Sequence, residues 1–341
     1  MKCQLGELNE RYDIVCTVGS GAYGEVQKCV EKKSGALVAL KRIFIQGQYS
    51  GFPLSSLREI RLLTHLDHDN IVKLVDVFRT SNDQNVYLAF EFCEFDLQGL
   101  LHLKDAPSLT PLQVACYTRQ ILAGLCALQV RNIVHRDLKP ANLFLTRGNV
   151  LKIGDFGLAR QIDPTTHARY SPHVITLFYR PPELLLKCTK YGFEVDIWSV
   201  GCIIYEMIVR EPLFRAKRDS DGAQLAAIFE ICGTPTEENF PQFESLNRSI
   251  IQIVQQNPSR LNEVLQSKLT GEFEPFIDLL SQMLVLDPTK RISAEDAYKH
   301  PALIAYGRRA EPSRLPPLNL PEMHQRDVYK EKTANKPNEQ K

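Results

Sequence analysis

Apolar and polar positions change rhythm along this chain. In residues 12–43 the runs are short. Segments 12–18, 26–30 and 37–41 are rich in Val, Ile, Leu and Tyr, and Gly19-Ser20-Gly21-Ala22-Tyr23-Gly24 and Lys33-Ser34-Gly35 separate them. Runs of that length with glycine-bearing breaks predict strands and turns. After Pro53 the period lengthens: Glu59, Leu62, Leu63 and Leu66 fall at i, i+3, i+4 and i+7, which predicts a helix with one carboxylate on its apolar stripe. Residues 71–78 and 86–90 read as two more strands around the polar turn 81–85. From there the pattern is mostly helical. Ala115, Ile121, Leu122, Leu125 and Leu128 mark a helix over 111–131, and the apolar run 197–209 marks a buried one. That run is too short to span a bilayer and contains Glu206. Residues 211–272 are more polar and read as an inserted helical and loop region, and segment 304–341, with Pro312, Pro316, Pro317, Pro321 and Pro337 among charges, as an extended or disordered tail.

One stretch, 135–157, breaks this pattern with chemistry. Two apolar runs, 143–145 and 150–153, flank the polar turn 146–149 and predict a hairpin. A hairpin there places Asn142 beside Asp155, downstream of Asp137 and Lys139. Two oxygen donors beside a carboxylate base are the side-chain set that Mg²⁺-assisted phosphoryl transfer uses.

The first strands add a phosphate-binding pattern. Gly19, Gly21, Gly24 and Val26 fit G-x-G-x-x-G-x-V. Glycines there let the backbone approach phosphates. The motif lies between two strands instead of opening a helix, which disfavours the dinucleotide-binding reading. Lys41 ends the next apolar run; alone it reads as a snorkelling edge residue, and with Glu59 on the helix stripe it reads as a fixed cation for a nucleotide. Residues 91–93 read as a short connector whose backbone groups suit an adenine edge, with Phe90 behind it or simply in the core.

Between Asp155-Phe156-Gly157 and Pro182-Glu183 the composition is that of a loop which a modification can order. Arg58, Arg136 and Arg160 each flank a different chemical element, and a phosphate would satisfy all three by charge-assisted hydrogen bonds. Each arginine alone reads as a surface residue. Arg291 is a candidate structural partner for Glu183.

The bulk numbers exclude little but tilt the picture. At 341 residues the chain is long enough for one large domain or two lobes. A net charge of +1 gives no global field toward nucleic acid or membrane. Nine cysteines without a Cys-x-x-Cys pair predict reduced thiols of cytosol or nucleus. Residues 1–7 lack the apolar stretch of a signal peptide.

Taken together, residues 12–303 resemble the eukaryotic protein kinases: the glycine loop, Val38-Ala39-Leu40-Lys41, Glu59, His135-Arg136-Asp137 through Asn142, Asp155-Phe156-Gly157 and Pro182-Glu183 occur in order. The resemblance implies an α+β, bilobal fold. It expects an extension over 1–11, a small β-rich N-lobe with one key helix over 12–92, and a larger, mainly helical C-lobe over 93–303. More narrowly, residues 51–60 and 174–186 are similar to the cyclin-contacting helix and substrate-docking segment of the cyclin-dependent kinases. Segments 92–101 and 145–152 and the double proline 181–182 resemble the transcription-elongation branch, whose partner is a T-type cyclin. Phe52-Pro53-Leu54-Ser55 and Arg291-Ile292-Ser293-Ala294 are also similar to kinases that pair with D-type cyclins.

What the resemblance implies is specific. The chain would move the γ-phosphate of ATP, with Mg²⁺, to Ser/Thr-Pro sites, in the elongation branch those of the RNA polymerase II C-terminal repeat. It would act mainly in the nucleus, also in the cytoplasm, with a cyclin and an upstream activating kinase, and would need neither membrane nor direct nucleic-acid contact. Asp137 would handle the substrate hydroxyl's proton, Lys139 the phosphoryl group, Asn142 and Asp155 the metal, and Lys41 and Glu59 the nucleotide. Gly19, Ser20, Gly21, Ala22, Tyr23, Gly24, Val26, Ala39, Phe90, Glu91, Cys93 and Asp96 would complete the nucleotide site. Ser171 stands at the family's activating threonine, with Arg58, Arg136 and Arg160 to receive its phosphate; Val174, Ile175 and Arg180 would shape a pocket for proline after the target residue. Departures are Ser171-Pro172, Ala22 in place of an inhibitory threonine, Gly154 and Phe178. A catalytically silent kinase-fold scaffold is the competing class; such proteins lose one of Lys41, Glu59, Asp137, Asn142 or Asp155, and none is lost here.

Overall fold

The computed structural model describes residues 4–5, 8–21, 24–44, 52–80, 85–103, 107–163, 168–241, 257–322 and 324. The chain folds as two compact units. The first comprises Met1–Lys104, Ala141–Leu158 and Pro317–Lys341; the second comprises Asp105–Pro140 and Ala159–Pro316.

A six-stranded sheet with order β1-β5-β6-β4-β3-β2 forms the first unit's body. Its strands are β1 (Gln4–Leu5), β2 (Tyr12–Gly21), β3 (Gly24–Glu31), β4 (Leu37–Ile43), β5 (Leu74–Arg79) and β6 (Val86–Glu91). The short β1 runs parallel to β5 and covers its edge; the one-turn helix α1 (Leu8–Arg11) then leads into β2. Residues 1–11 were expected only as an extension, yet residues 4–5 lie in the sheet. Alternation along β4 buries Val38 and Leu40 on one face, and Ile43 is buried on the other. On the side of Val38 and Leu40, Tyr12, Phe78 and Tyr87 stack in series, with ring centroids 5.4 and 5.2 Å apart. Helix α2 (Leu54–Leu63) buries Glu59 and Leu63 and exposes Leu54 and Leu57. The strand expected over 71–78 begins at Leu74, because Ile71 instead bridges to Ile153.

That bridge joins a second, three-stranded sheet to the first unit. It contains β7 (Phe95–Asp96), β9 (Leu143–Leu145) and β10 (Leu151–Ile153), in the order β10-β9-β7. Val72 N–H donates to Ile153 O and Ile153 N–H to Asn70 O, both at 2.9 Å. Residues 93–103, with helix α3 (Leu97–His102), and the hairpin group with the first compact unit, on the far side of the boundary expected at residues 92/93.

The second unit is built around α4 (Pro111–Gln129) and α6 (Glu194–Val209), with the two-stranded ribbon β8 (Ile133–Val134) and β11 (Arg160–Gln161), and α5 (Pro182–Leu185) between. A full capping box at Thr110 and Gln113, with Pro111 in the first turn, starts α4. Helix α6 is buried from Val195 to Met207, as its apolar run requires. It is followed by α7 (Asp221–Cys232), α8 (Leu261–Lys268), α9 (Phe276–Met283), α10 (Ala294–Tyr298) and α11 (Pro301–Ile304). A buried ion pair locks this unit: Arg291 Nη1 and Nη2 donate to Glu183 at 2.6 and 2.7 Å, and the guanidinium lies 4.9 Å from the Trp198 ring centre.

Of the tail expected to be disordered over 304–341, residues 323 and 325–341 lie outside the described residues, and the described part is ordered. Past α11 two 3₁₀ turns form at Gly307–Ala310 and Pro312–Arg314, and Leu315 and Leu318 are buried. Leu318 N–H donates to Arg147 O at 2.9 Å, and the Arg147 guanidinium donates to Leu318 O and Leu320 O. Residues 317–322 thus form a strap on the first unit, tied by main-chain groups to the hairpin turn.

Candidate active site

The first unit holds a pocket whose walls include Val18, Val26, Ala39 and Val72, with Phe144 from the hairpin, Phe90 and Glu91 from the end of β6, and Phe92 and Cys93 just after it. Strand β4 delivers Lys41 and helix α2 delivers Glu59 to one end of it. Lys41 Nζ donates to both carboxylate oxygens of Glu59, at 3.0 and 2.8 Å, and lies 3.9 Å from Asp155 Oδ1. Burial alone would lower the Lys41 pKa; Glu59, then Asp155, outweigh it and hold the ammonium above its ordinary value. The cation is thereby fixed and charged inside an apolar cleft.

The hairpin joins the next two groups. Leu143 pairs with Ile153, and one step further Gly154 N–H donates to Asn142 O at 2.9 Å. Asn142 and Asp155 therefore leave adjacent strand ends, and both line the pocket. Asp155 has φ +57, a left-handed conformation in which a short polar side chain is tolerated. Gly154 has a packing reason. A Cβ there would sit 2.6 Å from Phe144 Cε2 and 3.1 Å from Val72 Cγ2, so its bare backbone makes room for the ring that floors the pocket. The pair Asn142 and Asp155 is an all-oxygen donor set, one neutral and one half-exposed carboxylate, and suits a hard divalent cation shared with phosphate oxygens.

In the second unit Asp137 is buried, and its carboxylate is held on both oxygens. Lys139 Nζ donates to Oδ2 at 2.7 Å, and Thr176 donates to Oδ1 from its N–H (3.1 Å) and its hydroxyl (3.0 Å). Lys139 also reaches Thr176 Oγ1 at 3.2 Å. Asp196, in the first turn of α6, fixes the preceding backbone by accepting the N–H groups of His135 (2.7 Å) and Arg136 (2.9 Å). Burial raises the Asp196 carboxyl above its usual range even though His135 and these bonds favour the charged form.

The second-unit residues of the expected switch converge on two tyrosines. Arg136 Nη1 donates to Tyr191 OH at 3.0 Å, Arg160 lies over the Tyr170 ring at 5.4 Å, and the two rings meet edge to face at 5.7 Å. Tyr191 OH in turn donates to Ser171 O at 2.7 Å, while the Ser171 side chain is exposed. Arg58 is exposed on α2 of the first unit.

Other expected positions fare differently. Val26, Ala39, Lys41, Phe90, Glu91 and Cys93 line the pocket. Gly19, Ser20, Gly21 and Gly24 lie in β2 and β3, and Ala22 and Tyr23 lie outside the described residues. Asp96 is 4% exposed and caps α3 by accepting Gly99 N–H at 2.6 Å. Nothing in the structure explains Phe178. Residues not foreseen are Thr176, Phe144 and His324. His324 Nε2 donates to Cys93 O at 3.1 Å and its ring meets Phe92. Lys28 clasps Glu322 at 2.6 Å and lies 4.7 Å over Phe92, so the strap ends as part of the pocket wall.

In the first unit, a paired lysine in a β-sheet cleft beside an Asn/Asp oxygen set on a hairpin is the side-chain set that phosphoryl transfer uses, and the second unit separately holds a buried aspartate–lysine pair. The protein kinase domain model matches residues 12–303. Among relatives, cyclin-dependent kinase C-3 of Oryza sativa subsp. japonica is 41% identical over 82% of this chain and 87% of its own length. Cyclin-dependent kinase 9 of Homo sapiens is 35% identical over 88% and 82%. Cyclin-dependent kinase 12 of Caenorhabditis elegans is 37% identical over 91% of this chain but only 42% of its own length. A chain in the crystal structure of the yeast RNA Pol II CTD kinase CTDK-1 complex superposes with TM-score 0.77 at 34% identity, covering 85% of this chain and 91% of that one. The chain belongs to the protein kinases and, within them, to the cyclin-dependent kinases. It is an ATP-dependent serine/threonine protein kinase.

Proposed function

We propose that this chain is a cyclin-dependent, proline-directed kinase of the transcription-elongation kind, acting in the nucleus on Ser/Thr-Pro sites such as those of the RNA polymerase II C-terminal repeat. The observation that carries the chemistry is the hairpin: Gly154 N–H bound to Asn142 O keeps Asn142 and Asp155 side by side in the pocket that also holds Lys41. Ala39, Phe144 and residues 91–93 line the same pocket as Lys41, so the adenine of ATP would lie between Ala39 and Phe144 with its edge toward the backbone at 91–93, and the nucleotide's phosphates would be directed to Lys41. Asn142 and Asp155 would hold Mg²⁺, which when bound neutralises charge on the transferred phosphoryl group. Asp137, aligned by Thr176, orients the substrate hydroxyl and takes its proton; Lys139 steadies the developing charge.

Proline selectivity is supported by Ile175. Its φ is +67, rare for a β-branched residue, and its carbonyl accepts Arg180 Nε and Nη2 at 3.0 and 2.8 Å. A substrate residue after the target Ser or Thr finds that acceptor already taken. Proline, which has no N–H, loses nothing. Exposed Leu54 and Leu57 on α2 offer an apolar face to a cyclin. The transcription-elongation reading is supported by similarity to cyclin-dependent kinases 12 and 9 and to a chain of the RNA Pol II CTD kinase complex; the T-type cyclin rests on the sequence resemblance of segments 92–101 and 145–152. The D-type reading is favoured by one observation, 42% identity over 86% of this chain to cyclin-dependent kinase 4 of Xenopus laevis. Ser171 is the proposed activating phosphosite.

Asp155→Asn should abolish phosphoryl transfer to a Ser-Pro peptide by the cyclin complex while leaving the fold intact by circular dichroism. A variant with full activity would sink the mechanism. Mass spectrometry of the co-purified cyclin separates the T-type from the D-type reading.

A further inference from the structure

The Arg180 side chain that engages Ile175 is itself held on its remaining face. Arg180 Nη1 donates to Asp221 Oδ1 at 2.6 Å. Asp221 is the first residue of α7, next to the N-cap Ser220, where the helix N-terminus favours negative charge. Its other oxygen, Oδ2, accepts Lys187 Nζ. Lys187 has φ +66, and its N–H closes the end of α5 on Leu184 O at 3.0 Å. A chain of bonds therefore runs from Lys187 through Asp221 and Arg180 to the Ile175 carbonyl.

We propose that Asp221, anchored by Lys187, is a positioning residue for proline selectivity: it holds the Arg180 guanidinium where it occupies the Ile175 carbonyl. This rests on the proline-directed reading above and adds to it the group that keeps the acceptor occupied. Arg180 has a flexible stem, and two donors to one carbonyl oxygen leave it free to pivot. A third bond from Nη1 in the opposite direction fixes the guanidinium plane. The competing view is an ordinary ion pair, since the Asp221 side chain is 29% exposed and such pairs contribute little to stability. The two views differ in what they change. An ordinary pair leaves peptide selectivity alone, whereas a positioning role acts on selectivity even if stability hardly moves. Without Asp221 the guanidinium can swing off, and the freed carbonyl can accept the N–H of a residue other than proline.

The test is the kcat/KM ratio for matched Ser-Pro and Ser-Ala peptides, measured on the cyclin complex with ATP. Asp221→Asn is expected to lower that ratio about tenfold, equivalent to about 1.4 kcal/mol of discrimination, with the KM for ATP unchanged. Asp221→Glu should restore most of it. Lys187→Gly removes only the anchor and should lower the ratio by roughly two- to threefold, a fraction of the same hydrogen-bond contribution. An unchanged ratio in active Asp221→Asn overturns the inference; if that variant does not fold, an unchanged ratio in Lys187→Gly overturns it. A wild-type ratio near one would instead refute the proline-directed reading, and this inference with it.

Discussion

At the scale of single residues, the site depends on positions where only one side chain fits. Gly154 is the sharpest case. Phe144 and Val72 occupy the space a Cβ would need, so Gly154→Ala must displace the ring that floors the pocket. Overpacking of this kind costs about 1–3 kcal/mol. The variant should lower the urea midpoint, and adding Phe144→Leu should recover part of the loss; an unshifted midpoint would show that the hairpin accommodates the methyl freely. Residue chemistry was also where sequence reading worked best. Lys41, Glu59 and Asp155 stood out as charges set in apolar or glycine-rich surroundings, and Asn142 as an amide at the start of the hairpin. Thr176 gave no such signal, because its bonds to Asp137 span 39 positions and its composition is that of any loop threonine. Asp96 did carry a signal that was passed over: an aspartate directly before Leu97 begins a helix as a capping residue does.

At the scale of elements, the segment from Asp155 to Glu183 is held by side chains that a modification would compete for. Arg136 and Arg160 are engaged by Tyr191 and Tyr170, and Tyr191 also donates to the Ser171 carbonyl. A phosphate on Ser171 offers these arginines a stronger, charge-assisted partner than a phenol or a ring face. Ser171→Ala should therefore lower the kcat of the cyclin complex by about tenfold or more, the scale of one to three such bonds. Equal kcat values, with wild-type Ser171 shown by mass spectrometry to be phosphorylated, would eliminate the switch. The secondary elements here were legible where periodicity was long, as in α4 and α6. They were least legible where a strand is short and set by partners: β5 starts three residues later than its apolar run, since Ile71 is drawn to the hairpin.

At the scale of the whole molecule, the α+β kinase fold was legible, and the grouping of elements was not. Apolar periodicity identifies elements but does not say which body they join, and the hairpin and residues 93–103 group with the first compact unit. The strap was invisible for a different reason. Its ties are backbone carbonyls of Leu318 and Leu320 and a backbone N–H, which leave no side-chain pattern in a proline-rich, charged sequence. Ending the chain after Pro316 removes buried Leu318 and the bonds to Arg147. Burial of one leucine contributes about 1.5–3 kcal/mol, so the truncated chain should unfold at lower urea concentration. Coincident unfolding curves would mean the strap merely rests on the surface.

The strap also bears on how the protein is made. A ribosome delivers the chain from one end, and domains ordinarily fold as they emerge. The six strands of the first sheet all lie within residues 4–91, but His324, which lines the same pocket as Lys41, Asn142 and Asp155, is synthesised after α4 to α11 of the second unit. A product that stalls before residue 317 therefore carries Lys41, Asn142 and Asp155 without that part of the wall.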